Sequence, residues 1–507
     1  MRSRQRPSVL TRLRTGFAAR FGVDRRGLAA FRIALGALLC LDLLLRARNL
    51  RAFYTDAGVL PRGTLHALYP ALSRLSLHAL SGALWVEVVL FALAAAFALA
   101  VLLGYHTRLA LLCSVVLLVS LHARNPLVLN GGDSLLRRLA FWGLLLPLGS
   151  RWSLDALARA RERARDAPLG PTRVATAASA ALLLQVVLVY VVTALFKHQG
   201  TLWGRGLAVR YVFDLREFTV FFGPVLAGHA LPLTAANYAW LALLTCAPLL
   251  VLTTGRVRAA LVGAFALAHL GLLCTVGVGI FPLVDLVALL PFLPSVVWDA
   301  GERRLDGSRL AEGVNGVAAR LPTPRDVTPS LPAGAARVAG RGLAVVVCVL
   351  LVAMCAWNAA SLGYADLGGG EGVDPAQYGW NMFAPDPVTT EVWYVAPAET
   401  ASGERVDAVT GGAVSWAPPP SFERQYPTAR WRKLLRNAHK RDLVGVQRAY
   451  AGHLCARWNA THADDLERVS VAVAVQEARL EEPEPVAHDV RWAGRCAAAR
   501  GASESGR

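Results

Sequence analysis

Long apolar segments recur along the chain, and polar residues collect in the stretches between them. A helix of about 20 apolar residues is long enough to cross the hydrocarbon core of a bilayer, which is roughly 30 Å thick. Nine segments are predicted on this basis to span a membrane, at 28–46, 84–104, 108–125, 135–149, 173–197, 235–253, 257–278, 279–298 and 342–363. The fourth is short and the eighth contains prolines. The pattern predicts an all-α polytopic membrane bundle of about nine transmembrane helices.

The pattern changes after the last span. Within residues 364–507, an extended-looking TTEVWYVA precedes the helical stretch PTARWRKLLRNAHKRDLVGVQRAYAGHLCARW, and RVSVAVAVQEARLE alternates with the period of two that is typical of a strand. We therefore expect a small C-terminal α+β domain. Residues 301–341 are rich in glycine, alanine, proline and arginine, which predicts a flexible linker between the bundle at 28–300 and the last span at 342–363.

Composition and charge agree with a membrane protein. Of the 507 residues, 55% are hydrophobic and only 17% are charged, which is unusual for a soluble chain of this length. The net charge of +18 could indicate nucleic acid binding, but the arginines crowd the leader at 1–27 and the segments 150–173 and 302–341. With nine spans, these three segments lie on one side of the membrane, and arginine-rich segments favour the cytoplasm. The sequence predicts a multi-pass protein of the inner (plasma) membrane, with a cytoplasmic N-terminus, an extracytoplasmic C-terminal domain, and no nucleic acid partner.

The cysteines fit the same arrangement. Six of the eight lie in predicted spans, where a free thiol behaves as a small apolar group. Cys455 and Cys496 lie in the C-terminal domain, where an oxidising compartment would allow a structural disulfide between them. The sequence has no CxxC motif or Cys/His cluster, so no metal is indicated.

A lysine ends one of the apolar segments. Tyr190, Thr193 and Lys197 are spaced i, i+3 and i+7, so they share a helix face. Helical side chains lean toward the N-terminus, which here directs Lys197 back into the bundle. A lysine removed from water can serve as a general base near neutral pH. The alternative is that Lys197 anchors the span at the lipid–water boundary.

Other polar residues also have two interpretations. Asn130 and Asp133 lie in the turn before the fourth span, where Asp133 is either a functional group or a helix cap. His269 lies within the seventh span, where a polar ring indicates function by default, although a hydrogen bond between helices would also explain it. Asp285 and Glu87 have the same two interpretations.

Three further charged residues are predicted to be structural. Arg32 and Asp42 flank an apolar stretch of the first span, and a charge buried in a span normally has a partner on a neighbouring helix. Arg108 follows the tight turn GYHT at the predicted cytoplasmic face.

The chain resembles the HTTM family, whose membrane domain is shared with vitamin K-dependent γ-glutamyl carboxylase. Seven motifs carry the resemblance, in the family's order: FRIALGALLCLDLLLR with Arg32 and Asp42, FYTDAGVLPR (53–62), GYHTR (104–108), RNPLVLNGGD (124–133), SRWSLD (150–155), YVVTALFK…LWGRG, and HLGLLCTVGVGIFP (269–282). The tail motif GWNMFAPDP (379–387), followed by TARWRKLL, looks like the outer domain of bacterial members.

The resemblance implies a role for the lysine. In the carboxylases a lysine deprotonates reduced vitamin K, and the resulting base allows a glutamate side chain to be carboxylated. Lys197 stands where that lysine would stand, and His269 stands at the position of the family's histidine. Lys197, His269 and Asp133 are thus the candidate catalytic residues. Reduced vitamin K or menaquinol is the candidate cofactor, with Tyr190, Thr193, Trp203 and Asn130 as candidate contacts.

The resemblance also has departures. The carboxylases carry an Asn-His pair before their fourth span, whereas this chain reads NGGD. The tail is shorter than the animal enzyme's luminal region, which puts binding of a long glutamate-rich peptide in doubt. Three functions therefore stay open: a quinol- and oxygen-dependent carboxylase or epoxidase, a non-catalytic membrane scaffold whose outer domain binds a partner, and a transporter. The sequence shows no inverted repeat, which disfavours the common transporter folds.

Overall fold

The computed structural model describes residues 9–162, 172–305, 332–365, 379–480 and 484–500, and most of them are helical. The first part of the chain contains α1 (Val9–Phe21), α2 (Arg25–Ala47), α3 (Leu50–Tyr54), α4 (Arg62–Leu68), α5 (Pro70–Leu75), α6 (Leu84–Leu103), α7 (Thr107–Arg124), α8 (Gly131–Leu144) and α9 (Leu154–Glu162). The second part contains α10 (Ala177–Gln199), α11 (Thr201–Gly204), α12 (Ala208–Asp214), α13 (Gly223–Ala227), α14 (Ala230–Thr245), α15 (Leu249–Leu252), α16 (Gly255–Thr275), α17 (Phe281–Leu289), α18 (Ser295–Leu305) and α19 (Ala333–Ser361).

Local sequence signals explain where several of these helices begin and end. Asp24 caps α2, because its side chain accepts a hydrogen bond from the Arg26 amide. Thr176 and Ser179 form a reciprocal capping box at the start of α10. Helix α6 ends at Gly104, whose φ of 69° lies in the left-handed region that glycine adopts without strain.

Six helices of the described chain are long and apolar enough to cross a membrane: α2, α6, α7, α10, α16 and most of α19. A seventh span would be the pair 281–292 and 295–304, which is bent by 97° at the break between its helices. The predicted count of nine is not confirmed. Helix α8 has 14 residues and is only about 21 Å long, which is shorter than the hydrocarbon core. The predicted span 235–253 is divided between α14 and α15.

The arginine-rich segments meet at one end of the bundle, which we call the leader end. Strand β1 (Val23–Asp24) pairs with β2 (Arg173–Val174). Arg26 forms ion pairs with Asp299 and Glu302 of α18, both at 2.7 Å. The end of the leader, Arg151 and Arg173 of the second segment, and Glu302 of the third therefore lie together. Residues 306–331 of the predicted linker lie outside the described residues.

Arg32 and Arg108 also lie toward the leader end. Arg32 is fully buried and donates hydrogen bonds to the carbonyls of Val101, Leu102 and Trp152, so it satisfies the C-terminal carbonyls of α6. Arg108 lies exposed in the first turn of α7.

The C-terminal domain packs on the opposite end, which we call the tail end. The strands are β3 (Thr390–Val395), β4 (Pro397–Thr400), β5 (Arg405–Asp407), β6 (Leu466–Glu477) and β7 (Ala487–Arg495), and the helices are α20 (Ala429–Lys440), α21 (Val444–Asn459) and α22 (Cys496–Arg500). In its sheet, β6 pairs with β3 along its C-terminal half, with β4 along its N-terminal half and also with β7, while β5 pairs with β4. All pairings are antiparallel. The predicted α+β domain is present, although its long helical stretch is broken where Asp442 adopts a positive φ of 48°.

This domain and the bundle share one hydrophobic core. The same cluster contains Phe53 and Tyr54 from the bundle and Trp431 and Tyr450 from the domain. The rings of Phe53 and Trp431 lie 4.7 Å apart, and the Trp431 indole donates to the Asn49 side chain at 3.0 Å. Helix α20 is therefore the element that fixes the C-terminal domain to the bundle.

A disulfide joins Cys455 and Cys496, the pair predicted from the sequence. It closes a loop with a sequence separation of 41 and links α21 to α22.

Replacing both cysteines of this disulfide by alanine is expected to destabilise the C-terminal domain by about 2–4 kcal/mol, because the unfolded chain gains conformational freedom. Thermal unfolding of the full chain in detergent, followed by tryptophan fluorescence, measures the loss. Cys246→Ala, at an exposed free cysteine, serves as the control and should leave the transition unchanged.

A partly buried histidine gives the C-terminal domain a pH-dependent stability. Burial lowers the pKa of His453 from 6.5 to about 4, and the nearby Arg457 and Arg51 act in the same direction. The folded state disfavours the protonated ring, so stability is full above about pH 6.5 and falls as the pH drops toward 4. We expect a loss of about 2 kcal/mol at pH 5. His453→Phe keeps a ring beside Trp431 and should remove this part of the pH dependence of the unfolding transition; an unchanged profile would contradict the assignment.

Candidate functional site

Lys197 lies at the tail end of α10, and its side chain is only 2% exposed. Its Nζ atom donates to the backbone carbonyls of Met382 at 3.0 Å and Phe383 at 3.2 Å. The same atom lies 3.6 Å from the centre of the Trp203 ring. An anchor at the lipid–water boundary would extend its amine to water, so this buried position does not fit that interpretation.

The two carbonyls belong to the tail motif GWNMFAPDP at 379–387, which we call the tail loop. The Trp203 indole donates to the Phe383 carbonyl at 2.9 Å, so this one carbonyl oxygen accepts hydrogen bonds from both Trp203 and Lys197. Asp386 accepts from the amides of Thr201 and Leu202, at 3.0 and 2.8 Å, where α11 begins. The segment that follows Lys197 in sequence and the tail loop therefore hold each other around the amine.

Thr193 lies one turn below Lys197 and extends the contact with the tail loop. Its hydroxyl lies 3.2 Å from the Trp380 carbonyl and 2.7 Å from the Val189 carbonyl of its own helix. The Trp380 ring is buried, with the Arg138 guanidinium 4.6 Å from its centre. Thr193 and Lys197 thus face the same segment of the tail.

Tyr190 belongs to a second polar cluster, deeper in the bundle. Its hydroxyl donates to Asp285 Oδ1 at 3.0 Å and lies 3.2 Å from His269 Nε2, while its ring stacks on Phe265 with 4.6 Å between centroids. Helices α10, α16 and α17 each contribute to this triad. Among the described residues, His269 Nδ1 and Asp285 Oδ2 are buried without a hydrogen-bond partner. His269 and Asp285 therefore retain unused hydrogen-bonding capacity.

The two clusters lie on one face of α10 without touching. Seven residues separate Tyr190 from Lys197, which corresponds to about 10 Å along the helix axis. None of the hydrogen bonds of the described residues links Lys197 to His269. The predicted set of Lys197, His269 and Asp133 is thus divided among separate polar clusters.

Asp133 belongs to a third cluster, an ion-pair network at the start of α8. Arg46 donates to Asp133 Oδ1 at 2.5 Å and to Asp42 at 2.7 Å. Arg430 of α20 reaches the same two carboxylates, at 3.0 Å from Asp133 Oδ1 and 2.6 Å from Asp42. Asp42, His122 and Asp133 could together offer ligand atoms to a metal ion, but the two guanidinium groups already bind both carboxylates.

Asn130 is the N-cap of α8 and forms a capping box with Asp133, so the helix-cap interpretation describes both residues. The tail loop connects this helix start to the lysine. The Met382 side chain packs so closely on Gly131 that a Cβ there would lie 2.5 Å from its sulfur, while the Met382 carbonyl binds Lys197. One residue of the tail loop therefore contacts both candidate regions.

Two arginines of α20 also hold the C-terminal domain on the bundle. Arg432 donates to the carbonyls of Glu217 and Gly277, and Arg436 forms an ion pair with the Glu217 carboxylate. Burial raises the pKa of Glu217 to about 7, although both arginines lie beside it. The arginines of α20 thus reach loops that precede α13 and α17.

Sequence reasoning missed several of these residues. They are Arg46, Tyr54, His122, Met382, Asp386 and Arg430. One signal was present for the lysine: the chain contains only three lysines, Lys197, Lys433 and Lys440, among 53 basic residues. Arginine stays protonated in proteins, whereas a buried lysine can release its proton. A lysine at a buried position of a chain that otherwise uses arginine is therefore a signal of proton transfer.

Residues 22–298 match the family model of the HTTM domain. The chain belongs to the HTTM family. Lys197, His269, Asp133 and Arg46 lie within the matched region, whereas Arg430 and the tail loop lie outside it. Searches of curated proteins and of solved structures found no match. This HTTM protein is a membrane protein with several apolar helices, and the tail that follows its HTTM domain supplies part of the surroundings of Lys197.

Proposed function

We propose that this HTTM protein is a quinol- and oxygen-dependent membrane enzyme, either a carboxylase or an epoxidase, with Lys197 as its general base. One observation carries the proposal: a single amine is buried at the end of a membrane span, in contact with two carbonyls and an indole face. No carboxylate lies within salt-bridge distance of Lys197 among the described residues, so no ion pair keeps it charged.

The hydrogen bonds of Lys197 suit a base. A neutral amine has two N–H bonds and one lone pair, and the carbonyls of Met382 and Phe383 accept two hydrogen bonds. The lone pair is then free to take a proton from an acidic hydroxyl. The Trp203 ring stabilises the ammonium group that results, because the face of an indole attracts a cation.

The residues around Lys197 fit a quinol, which has a flat aromatic ring, acidic hydroxyl groups and an apolar tail. Trp203 offers an aromatic face and Thr193 a hydroxyl one turn away, while Lys197 would accept the hydroxyl proton. A bound quinol would supply all four electrons that reduce O2, because its ring would be oxidised to the level of a quinone epoxide: one oxygen atom would enter the epoxide and the other would leave as water. Asn130 and Tyr190 bind other groups and are less suited to hold it than predicted.

The other two clusters would support the site from a distance. The triad of Tyr190, His269 and Asp285 joins three helices and would hold α10 in register. Asp133 would position the start of α8 beside Met382 through its cap and its ion pairs. In this proposal His269 and Asp133 position the site, and Lys197 alone exchanges the proton.

The substrate and the orientation are part of the same proposal. A carboxylase would take a glutamate-containing peptide from the tail end, and the arginine distribution supports the proposal that this end faces the outside of the cell. The leader end would then face the cytoplasm and the protein would lie in the inner (plasma) membrane.

Quinol turnover by the purified full chain tests the proposal. The protein in liposomes receives reduced menaquinone or reduced vitamin K, oxygen, labelled bicarbonate and a short glutamyl peptide. Chromatography follows quinone epoxide, and label in the peptide reports carboxylation. Epoxide with labelled peptide indicates a carboxylase, and epoxide alone indicates an epoxidase. No epoxide from either quinol, in protein with an intact unfolding transition, would contradict the enzyme proposal.

A membrane scaffold is the second candidate, and the tail loop favours it. Its Met382 and Phe383 carbonyls occupy the amine directly, so Lys197 could serve only to hold the C-terminal domain on the bundle. In that case the outer surface of the domain would bind a partner. The scaffold predicts no quinol turnover and a loss of stability when Lys197 is replaced by arginine or alanine.

A further inference from the structure

A groove with a volume of about 540 Å³ opens at the leader end, far from Lys197. Helix α16 forms one wall with Arg256 and Ala259, and α18 forms the other. The remaining lining residues are Val296, Val297, Ala300, Gly301 and Arg304. The walls are apolar, and an arginine stands on each side.

Helix α18 is built with two different faces. Asp299 and Glu302 point toward the bundle, where both pair with Arg26. Val296, Ala300 and Arg304 are spaced four residues apart, so they share the opposite face, which lines the groove. The ion pairs hold the acidic face inward and leave the apolar face and its terminal arginine toward the groove.

The position of the groove is that of a membrane surface. Helix α16 is a candidate span that begins at Gly255, so Arg256 lies in its first turn. Helix α18 is bent by 97° from the segment before it, so it runs across the end of the bundle rather than along the spans. A helix in this orientation, apolar on one face and basic at its end, lies in the interfacial layer of a bilayer.

Arg256 and Arg304 have no charged partner among the residues that the structure describes. Within the described chain, Arg256 and Arg304 form no hydrogen bond or ion pair, unlike Arg26 and Arg258 nearby. Both side chains are exposed. The groove floor is also open, because a Cβ placed on Gly301 would meet nothing within 4 Å.

We propose that this groove binds one anionic phospholipid, with its phosphate between Arg256 and Arg304 and an acyl chain along Val296, Val297 and Ala259. Two free guanidinium groups complement a phosphate, and arginine is well suited to phosphate oxygens. The apolar walls complement an acyl chain, which a free phosphate lacks. This lipid site is independent of the chemistry at Lys197.

Lipid retention by the full chain tests the proposal. Protein in detergent is mixed with equal amounts of phosphatidylglycerol and phosphatidylcholine that carry identical acyl chains, and native mass spectrometry counts the bound lipids. Wild type should retain one phosphatidylglycerol in preference to phosphatidylcholine. The double variant Arg256→Gln/Arg304→Gln should bind phosphatidylglycerol about 30-fold more weakly, since each basic group near a lipid surface contributes about a fivefold effect.

Two further variants distinguish lipid binding in the groove from a general effect of positive charge. Arg303→Gln/Arg341→Gln removes the same charge from exposed positions that do not line the groove and should retain the lipid. Gly301→Phe fills the floor without changing charge and should reduce retention as well. Equal loss in both double variants, or no preference between the two lipids, would overturn the proposal. Displacement of the lipid by inorganic phosphate at equal concentration would instead identify a free anion as the ligand, which also overturns it.

Discussion

Lys197→Ala is expected to lower the rate of quinone epoxide formation by about 10³-fold, within the range that a positioned general base contributes. The Lys197 amine is the buried basic group at the end of α10, and two carbonyls hold it in place. Because the variant keeps Trp203 and Thr193, quinol affinity should change much less than the rate. Initial rates at saturating quinol, measured beside wild type, give the ratio.

Lys440→Ala is the matched control for this comparison. It removes one of the three lysines at an exposed position on the C-terminal domain. Its rate should equal that of wild type. A Lys197→Ala variant that stays folded and retains more than about a tenth of the wild-type rate would show that the lysine does not act as the base.

Arg430→Ala is expected to destabilise the protein by about 3–5 kcal/mol, because it removes one partner from a buried ion-pair network. Arg430 is the residue of the C-terminal domain that binds both Asp42 and Asp133. Without it, two buried carboxylates share the single guanidinium of Arg46. The thermal transition of the full chain in detergent should fall, and the C-terminal domain should become more sensitive to protease than the bundle.

A double-mutant cycle separates the ion pair from other effects of the substitution. The combination Asp42→Ala/Arg430→Ala should be less destabilising than the sum of the two single changes by about 1–3 kcal/mol, because the second change removes a charge that the first left unpaired. Arg468→Ala, at an exposed arginine on β6, should leave stability unchanged. Additive losses from Asp42→Ala and Arg430→Ala would contradict the network.

The sequence predicted the long spans well, because the length and the hydrophobicity of a span can both be read from one continuous segment. It also predicted that Asp42 has a partner on another helix, but it could not name Arg430, which lies 388 residues away. Long-range pairs of this kind depend on packing between elements. Arg46 was hidden for another reason: an arginine at the end of a span is usually read as an anchor, whereas here it is fully buried.

Helix and strand type in the C-terminal domain were predictable, but the way the domain docks was not. Period-two alternation identified β6, whose register against β3 and β7 depends on three separate segments. The tail motif was recognised as a sequence pattern. Nothing in that pattern indicates that the carbonyls of Met382 and Phe383 bind Lys197, because backbone acceptors are the same in every residue.

Lys197, His269 and Asp133, the three candidate catalytic residues, lie in separate polar clusters. Lys197 and Tyr190, which binds His269, share a helix face, but about 10 Å of helix separates them. The spacing of residues along a helix predicts which face a side chain lies on. It does not predict which groups from other elements lie beside that side chain. Only the packing of α10 against α16 and α17 on one side and the tail loop on the other divides the face into two clusters.

The most direct test of Lys197 as a base is the rate of epoxide formation by Lys197→Arg, measured with reduced vitamin K and with the thermal transition of the same sample. Arginine keeps a positive charge and donors for the Met382 and Phe383 carbonyls, but it does not give up its proton in proteins. A base predicts a rate about 10³-fold below wild type in a folded variant, as low as that of Lys197→Ala. A Lys197→Arg protein that turns over quinol at the wild-type rate would contradict this account and leave the lysine as a contact that holds the tail loop.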